Sequence, residues 1–104
     1  MEVFIIREKK NINAKADYNP ETGMITVLRG SVLSENIAHS ASFRGAKSIE
    51  RSREGVMKNN ILQKDVVFKS TSTAANFVTG SSTNGLTAWK DKSGRSIKQL
   101  MGRS

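Results

Sequence analysis

Two periodicities divide the chain. Val3-Phe4-Ile5-Ile6 is a run of β-favouring side chains, and Ile12, Ala14, Ala16 and Tyr18 alternate with Asn13, Lys15 and Asp17, the two-residue period of a half-buried strand. Asn19-Pro20-Glu21-Thr22-Gly23 carries turn chemistry, since proline fixes φ and glycine reaches positive φ. Residues 24–28 supply the returning strand. Residues 2–30 are therefore expected to form a β-meander, ended by Gly30-Ser31. Residues 34–42, with serines and alanines around His39, read as a surface connection.

From Phe43 to about Asn59 the period becomes helical, with Ala46, Ile49, Val56 and Met57 on one stripe. Asn60 suits the left-handed residue after such a helix, with Ile61 and Leu62 packing back. Val66-Val67-Phe68 predicts a short strand. Ser70 is an expected N-cap for a helix over residues 71–79, which presents Ala74, Ala75, Phe77 and Val78 on one face and stops at Gly80. Residues 86–90 suggest another strand, residues 91–94 a turn, and residues 96–101 a last helical turn or two. The expected class is α+β: a small, mainly antiparallel sheet with an N-terminal meander and two to three helices packed on one side.

The chain has 104 residues, a length that implies a single domain with one core. Its longest aliphatic and aromatic run, residues 3–6, is far short of the roughly 18 residues a membrane span needs. The N-terminus lacks the pattern of a secretion signal, so a cytoplasmic address is expected. With no cysteine there can be no disulfide, thiolate metal site or cysteine nucleophile. With one histidine there can be no multi-histidine metal site. No carboxylate pair or nucleophile–base order stands out, so a non-enzymatic protein without a cofactor is expected.

Charge says more. The net charge of +8 is confined to one part of the chain. Residues 1–43 hold Arg7, Lys9, Lys10, Lys15 and Arg29 against Glu2, Glu8, Asp17, Glu21 and Glu35, and are neutral. Residues 44–104 hold twelve basic residues against Glu50, Glu54, Asp65 and Asp91. Such an imbalance points to a polyanionic partner, nucleic acid before membrane. On the first helix Arg44, Lys47, Arg51 and Lys58 share an arc of about 60°, the ridge expected to track a phosphate backbone, although Glu50 and Glu54 flank it. Lys69, Lys90, Lys92, Arg95 and Lys98 would extend the basic surface, with Asn84 and Gly85 shaping a loop beside it.

Three further features favour structure over binding. Arg53 falls within the apolar stripe, so a snorkelling stem or a buried partner, Asp65 or a backbone carbonyl, is expected for it. Gly80-Ser81-Ser82-Thr83-Asn84-Gly85 could form an anion-binding concavity but lacks the phosphate-loop lysine–serine pair, and turn chemistry explains it. Trp89 is a lone tryptophan and reads as a core anchor rather than a base-stacking group.

Residues 68–90 resemble a bacterial family, domain of unknown function family 4357, whose signature runs approximately F-x-S-P-S-A-A-A-x-x-V-x-G-x-S-x-N-G-x-x-x-W-K. Arg53 through Leu62 is similar in outline to the family's R-x-x-L-I-x-x-G-x-L, and Gly30-Ser31 to its strand-ending G-S. The likeness covers roughly residues 18–101. Thr71 stands where the family has proline and Asn60 where it has glycine, each fitting the same backbone role. The resemblance implies a domain appended to GIY-YIG-type nucleases and restriction-modification proteins, and similar to an adenine-methylase-associated module proposed to bind DNA. This chain has no GIY-YIG motif, so nuclease activity is not implied. The expected function is therefore a nucleic-acid-binding accessory module contacting duplex DNA phosphates, with a nuclease or restriction-modification protein as a further partner and no membrane role. The competing expectation is a protein-interaction or scaffolding module.

Overall fold

The computed structural model describes residues 1–38 and 45–101, with a Cα radius of gyration of 12.8 Å. The meander is present. Strand β1 (Glu2–Arg7) and strand β2 (Ile12–Tyr18) pair antiparallel, and strand β3 (Ile25–Val27) returns along β2. A 3-10 turn at Glu8–Lys10, closed by Asn11 at φ 54°, joins the first two. In the next connection the Asn19 side-chain carbonyl accepts the Glu21 N–H, and Gly23 takes φ 76°.

Two departures from the expected order follow. Helix α1 spans only Ala46–Arg53, because Gly55 at φ 74° turns the chain away. Val56 and Met57 still pack on the main core, but from beyond the helix. Met57–Lys58 is strand β4 and Ile61–Leu62 is strand β5, paired with Lys58 opposite Ile61. Asn59 and Asn60 have φ 53° and 66°, the two positive values of a type I′ hairpin turn. Asn60 is left-handed as expected, but in a hairpin rather than a helix cap. Replacing it by alanine is expected to cost about 1 kcal/mol, since only glycine and asparagine visit this region cheaply; chemical denaturation of N60A beside N60G, which should be tolerated, would measure it.

Strand β6 (Val66–Phe68) completes a four-stranded antiparallel sheet of order β1-β2-β3-β6. Helix α2 (Thr71–Thr79) crosses its inner face. The Ser70 hydroxyl accepts the Thr73 N–H at 3.0 Å, and Gly80 closes the helix at φ 72°, as the local sequence predicts. Residues 86–90 depart from expectation. They contribute to helix α3 (Gly85–Ala88) instead of a strand, because the Asn84 side chain caps it by accepting the Leu86 N–H at 3.0 Å. Helix α4 (Ile97–Met101) follows the Asp91–Gly94 turn and starts with a reciprocal cap between Ser96 and Gln99.

The core lies between sheet and helices. Val3, Ile5, Ile12, Ala14, Ala16, Ile25 and Val27 point inward from the sheet to meet Ala74, Ala75, Phe77, Val78 and Ile97. Trp89 is wholly buried there, and its Nε1 donates to the Thr71 carbonyl at 3.0 Å. It is a core anchor. The outer sheet face carries Asn13, Lys15, Asp17 and Thr26. Among the described residues no helix is long and apolar enough to cross a membrane.

Arg53 links three segments. Its Nε and Nη2 donate to the Phe77 carbonyl at 3.1 and 2.7 Å, Nη1 to the Ser34 carbonyl at 2.9 Å, and Nη2 also to Ser34 Oγ and the Val78 carbonyl. Two of these acceptors, the Phe77 and Val78 carbonyls, lie at the C-terminal end of α2, which a cation complements. Asp65 instead accepts the Arg29 N–H. Burial pushes the guanidinium pKa down to about 10, so it is still charged at neutral pH.

Candidate functional site

The expected basic ridge on the first helix does not form as a unit. Lys47 and Arg51 are exposed on α1, but they share a shallow depression with Glu50 and Glu54. Lys58 lies on the β4–β5 hairpin, off the helix, because α1 ends at Arg53. Arg44 and His39 lie outside the described residues. Lys69 leaves β6 at the sheet end where Phe68, Ile25 and Tyr18 are in register, and Lys98 projects from α4. Arg95 is paired with Asp91 at 3.3 Å.

Lys90, Lys92 and Asn84 do come together. They line a concavity of about 760 Å³ between β1 and residues 81–88. Its placement follows from the backbone. Lys90 forms an isolated bridge on the outer edge of β1, where Phe4 N donates to the Lys90 carbonyl at 2.7 Å and Lys90 N to the Phe4 carbonyl at 2.9 Å. The opposite wall is the serine- and threonine-rich loop, which its own side chains hold in place. Thr79 and Thr83 hydroxyls bond at 2.8 Å, the Asn76 side chain accepts the Thr83 N–H, and Ser72 Oγ accepts the Gly85 N–H at 3.0 Å. Gly85 itself is buried, so its contribution is to shape the loop.

The structure adds Arg7, Lys9 and Lys10, which sequence reasoning set aside with the neutral N-terminal segment. Arg7 lines the same concavity. Lys9 and Lys10 line a neighbouring depression of about 430 Å³, with Glu35 on its rim. Ser81 belongs to both hollows. A row of cations from Lys92 and Lys90 through Arg7 to Lys9 and Lys10 therefore flanks one loop. The signal for it was the position of Arg7 at the end of an edge strand, followed directly by a lysine-bearing turn.

Acids offset part of the charge at this concavity, at Lys92 through Glu2, and leave Arg7 and Lys90 unpaired among the described residues. The Asp91 carboxylate accepts the N–H groups of Arg95 and Ser93 at 2.9 Å each, and chiefly the Arg95 N–H holds its pKa below the usual range. Glu2 pairs with Lys15 at 2.8 Å, which lowers its pKa, and lies 3.7 Å from Lys92. Among the described residues Arg7 and Lys90 have no acidic partner. No group of three or more His, Asp or Glu side chains among the described residues could hold a metal ion.

Fold and concavity together define a small α+β domain that presents a cationic, hydroxyl-lined hollow at the edge of an antiparallel sheet. The chain matches the family model described as domain of unknown function (DUF4357) over residues 4–101, and it belongs to that family. No curated protein and no solved structure matches it.

Proposed function

We propose that this protein is a non-enzymatic nucleic-acid-binding module that holds phosphates along the row formed by Lys92, Lys90, Arg7, Lys9 and Lys10. One observation carries the reading: cations from two distant segments meet around a loop rich in hydroxyl and amide groups, with its one lining carboxylate already engaged. Backbone phosphates are recognised by this mixture of lysine, arginine and hydroxyl donors. DNA is the expected ligand, and an accessory role beside a nuclease or restriction-modification enzyme fits the resemblance. The protein-interaction alternative has less support. Ile6 and Val67, the most exposed large apolar side chains, are carried by strands at opposite edges of the sheet, with polar residues between them.

A titration of labelled duplex DNA at several salt concentrations tests this. If all five cations touch phosphate, log K should fall against log salt with a slope of about −4.5. The triple variant R7A/K90A/K92A should weaken binding and flatten that slope by about 3, while K47A/R51A leaves it nearly unchanged. Absence of binding at low salt, or a slope indifferent to the triple variant, overturns the reading.

A further inference from the structure

The floor of the concavity offers more than charge. In an antiparallel strand the N–H and C=O groups of alternate residues face opposite neighbours. Phe4 turns both of its groups outward to Lys90, so Val3, Ile5 and Arg7 face β2, and Ile6 faces outward like Phe4. Continuing the register from Lys90 would set Ala88 opposite Ile6. Ala88 instead ends α3, its N–H donating to the Asn84 carbonyl at 2.9 Å. The chain begins a fifth strand and abandons it after one residue.

The Ile6 N–H and C=O are consequently unpartnered among the described residues, and Ile6 lines the concavity. Beyond it, Arg7 faces β2 and Glu8 enters the 3-10 turn. On this side of the Lys90 bridge the open edge is one residue long. A guest strand pairs through several successive residues, whereas one donor beside one acceptor matches the edge of a single planar base. The surroundings suit a nucleotide as well. Half-buried Phe4 gives the hollow aromatic surface, the exposed Ser82 hydroxyl is unpartnered among the described residues, and Arg7, Lys90 and Lys92 stand around it.

We propose that an unpaired nucleobase docks against the outer edge of β1, hydrogen-bonded to the N–H and C=O of Ile6. Its flanking phosphates lie on Arg7, Lys90 and Lys92. The preferred ligand is then single-stranded or locally opened nucleic acid, because in an intact duplex the Watson–Crick edge is already paired. This inference rests on the nucleic-acid reading above and narrows it.

The test compares a labelled single-stranded oligonucleotide with a duplex of the same length and sequence at one salt concentration. Wild-type protein should favour the single strand by about tenfold. I6P removes the outward-facing N–H, which an edge strand tolerates, together with the isoleucine side chain, and should abolish that preference, whereas I6A, which trims the side chain and keeps the N–H, should retain it. I6V, which keeps the N–H, should behave as wild type. Amide NMR of the wild-type protein gives an independent readout: single-strand addition should shift the Ile6 N–H downfield and leave the ladder-bound N–H of Ile5 nearly still. Equal binding of both ligands with a retained salt slope, an unmoved Ile6 amide, or an Ile6 amide moved only by an extended acidic peptide overturns this inference but not the broader reading. Failure of both ligands to bind at low salt overturns the two together.

Discussion

Replacing Gly85 by alanine is expected to lower the melting temperature by about 15 °C or more, a loss of roughly 3 kcal/mol. An added Cβ would overlap the Thr71 carbonyl carbon and oxygen and the Ser72 nitrogen. These are backbone atoms in the first turn of α2, which cannot step aside like the tip of a flexible side chain. The Thr71 carbonyl also receives the Trp89 indole N–H, and the Gly85 carbonyl receives the Trp89 N–H at 3.1 Å. Any displacement therefore reaches the largest side chain of the core. G94A is the control: Gly94 has φ 84° but open space around it, so only the conformational cost, about 1 kcal/mol, should appear. Thermal unfolding followed by circular dichroism separates the two; equal small losses would show that α3 does not depend on this close approach.

Arg53→Met should have a comparable effect for a different reason. Methionine keeps the length of the stem but removes all five donated hydrogen bonds. The Phe77 and Ser34 carbonyls would then lose their donor, which is expected to cost about 3 kcal/mol. R53K restores a charge without the planar fork and should recover only part of this. Well below the unfolding transition, the salt slope of DNA binding should be that of wild type, because Arg53 is turned into the fold. A slope flattened by R53M would instead mark Arg53 as a phosphate contact.

The sheet and α2 were readable because their signals are local. Alternation from Ile12 to Tyr18, the Ser70 cap and the Gly80 stop each act within a few residues. Val56 and Met57 fall by chance at helical spacing and extend the helical pattern past the true end of α1, while Asn59-Asn60 is equally at home in a hairpin turn. Helix α3 leaves no legible signal, because four residues carry no usable period and its start is decided by one asparagine cap. For the site, Lys90, Lys92 and Asn84 were legible as a basic, polar stretch. Arg7, Lys9 and Lys10 were not, since their relevance depends on β1 being the outermost strand beside residues 81–88. That is a matter of strand order, which summed charge along the chain conceals.

The way the sheet ends at its two sides also bears on how the protein keeps to itself. One margin is bridged by Lys90 and cut short by the Glu8–Lys10 turn; the other, β6, has three residues bracketed by Asp65 and Lys69. Neither margin offers a flat, uncharged length on which another copy could stack its own backbone. Short length, flanking charge and a covering bridge are the devices by which sheet margins disfavour edge-to-edge pairing between copies, and this sheet has all three.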